Sequence, residues 1–264
     1  ELIWADTRRE STYDLQNNST PYDNSGMSWS NIAPTLETVK RFYTENGLPI
    51  DVDPSYYPES DWMQTDLYES ERTAKLHLKR EPRFYASIGF CECFWPATSV
   101  TGTEAPNVTN FTAGYYVNGN CAKQAANPED YNLTGYTLKK YIHPEDNCTS
   151  HTGAKIKPKT FPVFRYAEIL LNYVEALNEL KGEPEYTEAA DNTTYHVLYN
   201  PEEIMYYFNM IRYRAGLPGI TLADASDQVK MRQLIIRERM IEFACEGRRY
   251  HDPVSYTHLR AHET

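Results

Sequence analysis

No stretch of the 264-residue sequence approaches the roughly 18 consecutive apolar residues of a membrane-spanning helix. Basic charge is scarce: 26 Lys and Arg stand against 37 Asp and Glu, a net charge of -11. That balance argues against a nucleic-acid surface, which needs basic patches to release counterions from phosphates. Five cysteines form no CxxC pair and no zinc spacing, and Cys91-Glu92-Cys93 is too short for a tetrahedral site by itself. Cys121 and Cys148 lie in a loop-rich stretch where an oxidising compartment could pair them, although the count is odd. Cys245 reads as a buried helix residue. GxSxG, HExxH and glycine-rich phosphate loops are all missing, so no metal or cofactor is expected. The chain opens on Glu1-Leu2-Ile3-Trp4 with neither an initiator Met nor a signal peptide, so the expectation is a removed leader or a fragment.

Apolar residues at 41% are enough for a core, and 22 Tyr with 4 Trp and 9 Phe make the chain unusually aromatic. Many rings fall in pairs, such as Tyr56-Tyr57, Tyr115-Tyr116 and Tyr206-Tyr207. A ring with a polar tip suits a wet interface, and its flat face suits stacking on a sugar. Tyrosine also tolerates half-burial anywhere, which is the simpler reading of any single ring.

The cleanest helical period runs from Phe161 to Gly182. Val163, Ala167, Leu170, Leu171, Val174, Leu177 and Leu180 recur every three or four residues and give one continuous apolar face. Phe164, Ile169, Tyr173 and Ala176 widen the stripe, which predicts a central helix between neighbours. Asn200 to Gly216 is predicted as a second helix, with Asn200 as cap and Pro201 in the first turn. Ser226 to Gly247 is predicted as a third, with Val229, Leu234, Ile236, Met240, Ile241 and Ala244 inward and a polar face rich in Arg and Glu. A short amphipathic helix is expected over Thr35 to Asn46. Before and between these lie extended pieces and long loops: Leu2-Ile3-Trp4-Ala5 is a short apolar, strand-like opening, a polar run follows it up to Ser30-Asn31, and residues 55–160 are aromatic, with strand-like pieces at 84–88 and 136–141. Asp51 and Asp53 near Pro54 have the oxygen chemistry for calcium but lack the further ligands of a dedicated loop.

Rigid scaffolds carry binding residues on their loops, so Trp62, Trp95, Tyr115 and Tyr116 are candidates for a ligand platform, with anchoring of the loops to the core as the equal alternative.

Two runs carry a family resemblance. Arg165-Tyr166-Ala167-Glu168-Ile169-Leu170-Leu171-Asn172-Tyr173 with Glu175-Ala176-Leu177-Asn178-Glu179, and Glu238-Arg239-Met240-Ile241-Glu242-Phe243-Ala244-Cys245-Glu246-Gly247-Arg248-Arg249-Tyr250, resemble motifs of the SusD/RagB family. Asn46-Gly47-Leu48-Pro49-Ile50, Arg80-Glu81-Pro82-Arg83-Phe84-Tyr85-Ala86-Ser87-Ile88, and Gly135-Tyr136 through Lys140-Tyr141 match in the expected order. The resemblance implies a mainly α, tetratricopeptide-like helical scaffold with long irregular loops and a few short strands. It covers only the C-terminal part of such a protein: residues 1–252 as part of one domain, loop-rich over 1–160 and helical over 161–252. It further implies a lipid-anchored protein on the extracellular face of the outer membrane in Bacteroidota. Such a protein captures oligosaccharides for a SusC-like TonB-dependent transporter. Residues 253–264 fit no pattern of the family and look like a translated sequencing adaptor, so His258 and His262 receive no role despite their i, i+4 spacing.

The resemblance also places Trp4, Tyr22 and Trp29 in a region that contributes ligand contacts in relatives, beside Trp62, Trp95, Tyr115 and Tyr116. Catalysis of glycoside cleavage would need two carboxyls about 5 to 9.5 Å apart across a cleft, and the sequence nominates no such pair, so no enzyme is expected. Instead Arg165, Glu168 and Glu175 are expected to pin their helix to that of residues 226–247 through ion pairs involving Arg239 and Glu242. Three alternatives stay open: peptide or other nutrient capture in the same type of complex, a helical scaffold for protein partners, and a secreted glycoprotein with sequons at Asn18, Asn107, Asn110, Asn132, Asn147 and Asn192.

Overall fold

A computed structural model describes residues 1–8, 10–21, 29–96, 110–123, 129, 131–146, 156–180, 185–187, 190–196 and 198–247. In chain order the elements are β1 (Leu2–Asp6), α1 (Glu10–Ser19), α2 (Leu36–Arg41), β2 (Thr65–Tyr68), β3 (Glu71–Ala74), α3 (Pro82–Ser87), β4 (Ile88–Gly89), β5 (Cys93–Pro96), β6 (Asn110–Ala113) and β7 (Thr137–Leu138). They continue with β8 (Phe161–Arg165), α4 (Tyr166–Asn178), β9 (Glu185–Thr187), β10 (Thr194–His196), α5 (Pro201–Arg214), α6 (Leu222–Ser226) and α7 (Gln228–Glu242). Strands occur only as two-stranded ribbons, β1-β8, β2-β3, β4-β7, β5-β6 and β9-β10, among the described residues. The chain divides into two compact units, one of Ala5–Val163 and one of Glu1–Trp4 with Phe164–Thr264.

The second unit is built on helices. α4 packs against α5 and α7, and the short α6 bridges α5 and α7. Leu171 and Val174 of α4, Ile204 and Phe208 of α5, and Met231 and Ile235 of α7 meet in one buried cluster. Asn200 caps α5 by accepting the Glu202 and Glu203 amides, and Asp227 caps α7 in the same way with Val229 and Lys230.

Four details of this unit differ from the sequence-based expectation. The predicted helix at 161 begins only at Tyr166, because Phe161–Arg165 pairs as a strand and Arg165 remains extended at the N-cap. α4 is covered on one side only: Ile169, Tyr173 and Ala176 lie exposed, Tyr173 turning its hydroxyl to Glu203 and its ring to Tyr207. The predicted third helix, 226–247, is α7 over Gln228–Glu242, capped by Asp227 with the separate short helix α6 before it, and its inward face differs from the expected one. Val229 is exposed, whereas the charged residues Glu238, Arg239 and Glu242 are buried. Cys245 is not inside a helix but exposed just after α7 in a left-handed conformation, φ 61°.

The first unit has little regular structure and is held by polar knots. Thr35 caps α2 as predicted, but the helix ends at Arg41. The Arg80 side chain ends it: Nη2 donates to the Val39 and Phe42 carbonyls at 2.7 and 2.9 Å, Nε to Tyr43 at 3.3 Å, and Nη1 to Leu76 at 2.7 Å. A buried guanidinium thereby satisfies carbonyls that a longer helix would have bonded to its own amides. Next to it the Glu81 carboxylate, fully buried, accepts the Tyr43 amide at 2.8 Å and the Arg83 guanidinium at 2.7 Å.

Of residues 84–88, read as a strand, 84–87 belong instead to α3, with Pro82 in its first turn, and only Ile88, together with Gly89, pairs against β7. α1, missed altogether, carries no apolar stripe and buries Thr12, Gln16, Asn17 and Ser19. Gln16 donates to the Asp146 carboxylate and the Lys157 carbonyl.

Asp53 does not act as an open metal ligand. Thr44 and Asn46 donate to one carboxylate oxygen and the amide and hydroxyl of Ser55 to the other, at 2.6 to 3.0 Å. Burial acts to raise its pKa, but these donors hold it at about 2.

His77 sits among Phe84, Phe90 and Tyr136. Thr73 has one hydroxyl hydrogen and gives it to the Cys91 carbonyl at 2.6 Å, so its 2.7 Å contact with His77 must be one in which Nδ1–H donates. Nε2 then accepts from the Tyr136 hydroxyl at 3.0 Å. Burial, reinforced by the nearby Arg80 charge, lowers the imidazole from 6.5 to about 3.

Because both folded pKa values lie below their unfolded ones, both groups contribute stability that is full at neutral pH and lost on acidification. His77 acts as pH falls from 6.5 towards 3, and Asp53 from 3.8 towards 2. Denaturant titration is expected to show about 2–3 kcal/mol less stability at pH 4.5 than at pH 7 from His77 alone. A His77→Gln variant should show a flatter dependence across that interval; an unchanged slope would contradict the buried neutral imidazole. In the other unit, Leu171→Ala is expected to cost about 2–5 kcal/mol in the same assay.

Candidate ligand-binding site

β5 and β6 pair antiparallel, and the chain leaves β6 in a tight loop, Gly114-Tyr115-Tyr116-Val117-Asn118-Gly119-Asn120-Cys121. Asn120 clamps the loop base: Oδ1 accepts the Gly114 amide at 2.7 Å, and Nδ2 donates to the Thr112 carbonyl at 2.9 Å. The Gly119 amide donates to the Tyr116 carbonyl at 2.8 Å, and the Cys121 amide to the Gly114 carbonyl at 3.0 Å. A Cβ on Gly119 would come within 2.2 Å of the Gly114 oxygen, so this closure admits only glycine there.

Successive side chains of this loop point opposite ways. The Tyr115 hydroxyl is 2.9 Å from the Thr137 hydroxyl, and burial pushes its pKa well above the usual phenol range. Tyr116 is 57% exposed, and the nearby Glu92 charge raises its pKa. Glu92 holds a left-handed backbone, φ 67°, and its amide donates to the Ala113 carbonyl at 2.8 Å. The Thr73–Cys91 hydrogen bond brings the β2-β3 hairpin to the same turn. Alternation along β3 then places Glu71 on the Thr73 side, where its charge is felt by both Glu92 and Tyr116. Burial, and after it the Glu71 charge, raise the Glu92 pKa.

The other candidate aromatics are placed differently. Trp62 and Trp95 are 7% and 0% exposed, so neither offers a ring face to a ligand, and the expectation of a platform at these two positions is corrected to that of loop anchors. Trp62 donates Nε1–H to the Tyr57 carbonyl at 2.8 Å. Trp95 packs against Gly89, where a Cβ would lie 2.9 Å from the indole ring. Trp29 is half-buried, its amide donating to the Asn17 carbonyl at 3.3 Å. Trp4 is 68% exposed on β1 and belongs to the other unit. Tyr22, Cys148 and residues 253–264, His258 and His262 among them, lie outside the described residues. Of the sequons, Asn132 cannot carry a glycan, since its side chain is buried and bonded to Thr134 and Tyr136.

The helical unit holds a second feature, a shallow apolar groove of about 220 Å³ lined by Glu1, Tyr166, Ala167, Leu170, Met210, Ile211 and Arg214. Its rim is electrostatically fixed. Arg165 donates to Glu242 at 2.7 Å and to Glu246 at 2.8 and 3.0 Å, and lies over the Phe243 ring. Arg214 bonds Glu242 from the other side and Glu1 at 2.8 Å. Arg239 reaches Asn172 at 2.6 Å and Glu175 at 3.7 Å, while Glu168 lies half-buried in the first turn of α4.

Glu71 and Glu92 were not singled out in the sequence; a carboxylate at a turn carries no periodic signal. Among the described residues no group of three His, Cys, Asp or Glu side chains could hold a metal ion.

Removing one member of the Arg165–Glu242–Arg214 set strands the rest out of water. Arg165→Ala is expected to destabilise the chain by about 3–5 kcal/mol in urea unfolding.

A SusD-like protein of Bacteroides ovatus is 23% identical over 239 residues, 89% of this chain and 38% of its own length. The solved structure of BT4246 is similar at a TM-score of 0.72 and 25% identity, over 96% of this chain and 39% of that one. A SusD-like protein of Bacteroides fragilis is similar at 0.65 and 27%, over 96% and 42% respectively. The chain thus spans about two fifths of the length of these relatives. The profile of the SusD family matches residues 1–254, and the chain belongs to that family.

Proposed function

We propose that the protein of which this chain is a part captures oligosaccharides and delivers them, without catalysis, to a SusC-like TonB-dependent transporter. In this reading it is held by a lipid on the extracellular face of the outer membrane. Residues 1–252 form the C-terminal part of one domain on a tetratricopeptide-like scaffold. The observation that carries this reading is the SusD family match over residues 1–254.

The 114–121 loop supports it with a specific contact. A tyrosine ring presented to solvent on a clamped loop can stack on the C–H face of a sugar with little ordering cost. The Glu92 carboxylate beside it accepts hydrogen bonds from sugar hydroxyls, and charged acceptors make the stronger bonds. In this arrangement Tyr116 is the contact residue, and Tyr115, Trp62 and Trp95 keep the loops in place. Trp4 and Trp29 remain as further contact candidates.

Calorimetry of the full-length protein against a panel of polysaccharides and oligosaccharides tests the reading. At least one glycan should bind, no reducing ends should be released, and Tyr116→Ala should weaken binding by about tenfold or more. Trp95→Ala should instead lower stability, by about 3–5 kcal/mol. Absence of binding to every glycan would sink the proposal.

A further inference from the structure

Within the glycan reading, on which this inference rests, the charges around Tyr116 bear on which sugars can bind. Three segments distant in sequence converge there: the β2-β3 hairpin with Glu71, the turn at Cys91 and Glu92, and the 114–121 loop. Their convergence is fixed by the Thr73–Cys91 bond at 2.6 Å and the Glu92–Ala113 bond at 2.8 Å. What they bring beside one exposed ring is two carboxylates. Among the described residues the nearby cations are engaged elsewhere or point away. Lys139 donates to the Phe94 carbonyl at 3.2 Å and lies over the Trp95 ring, and alternation along β3 sends Arg72 to the face opposite Glu71.

We infer that the Tyr116–Glu92–Glu71 patch sorts saccharides by charge, accepting neutral and amine-bearing chains and rejecting uronic-acid chains. A hydroxyl or ammonium group on the sugar gives a carboxylate a donor, so the stacked ring and its substituents bind together. A uronate stacked on Tyr116 brings a third carboxylate to the same patch, where like charges repel. The discrimination is electrostatic and lies near the surface, so salt weakens it.

The experiment is calorimetry of the full-length protein with three probes of similar length: a neutral xylo-oligosaccharide, a chitosan oligosaccharide and an oligogalacturonate. The wild type is expected to bind the better of the first two at least about tenfold more tightly than the oligogalacturonate at low ionic strength. That ratio should shrink in 1 M NaCl, and it should collapse in the Glu71→Gln, Glu92→Gln double variant, whose side chains keep their size and lose their charge. Equal or tighter binding of oligogalacturonate by the wild type overturns the charge sorting and leaves glycan capture intact. An unchanged ratio in salt, or in the double variant, also overturns it. Failure of all three probes and of the wider glycan panel overturns glycan capture itself, and the sorting with it.

Discussion

The Glu242 carboxylate lies almost wholly out of water between the guanidinium groups of Arg165 and Arg214, and the helical unit depends on that placement. A buried charge is costly unless every partner is present and well aimed. Here the partners come from the start of α4, the end of α5 and the end of α7, so the three helices must meet at one register for the carboxylate to be tolerated. The apolar cluster of Leu171, Phe208 and Ile235 supplies the non-directional attraction; the ion set decides where along their axes the helices stop sliding. Arg80 plays the matching part in the other unit, where it ends α2 by taking its carbonyls and leaves the chain extended afterwards.

The difference between these two kinds of order explains how much could be read from the residues. Helices with an apolar stripe, α4 and α5, stand out because hydrophobic burial repeats with the helical period. α1 gives no such signal, since it buries Gln16 and Asn17 by hydrogen bonding, and side-chain partners more than a hundred residues away leave no local pattern. α7 is the instructive case: its Arg and Glu residues have the spacing of a solvated face, and only the presence of Arg165 and Arg214 nearby makes the same residues an interior. The shortening of α2 has the same origin, a distant arginine competing for its carbonyls. Pro82 was the overlooked local cue for α3, since a proline fits the first turn of a helix better than a strand.

The candidate site was legible in part for the same reasons. Tyrosine abundance pointed to the residue type of the proposed contact, and the Tyr115-Tyr116 pair fell among the candidates. Which of two adjacent rings faces outward, however, is set by the Asn120 clamp and by Thr137, neither of which alters the composition of the loop. Tryptophan misled because its large area makes it as useful inside as outside: Trp95 fills the space that Gly89 leaves open. Glu71 and Glu92 come within reach of each other's charge only through the folding of turns, so sequence spacing says nothing of them.

The ion set around Glu242 also constrains inheritance. Arg165 cannot be exchanged alone, because its loss strands two carboxylates, and neither Glu242 nor Glu246 can become neutral without leaving a cation behind. Viable change at these positions therefore has to be concerted, and concerted change is rare.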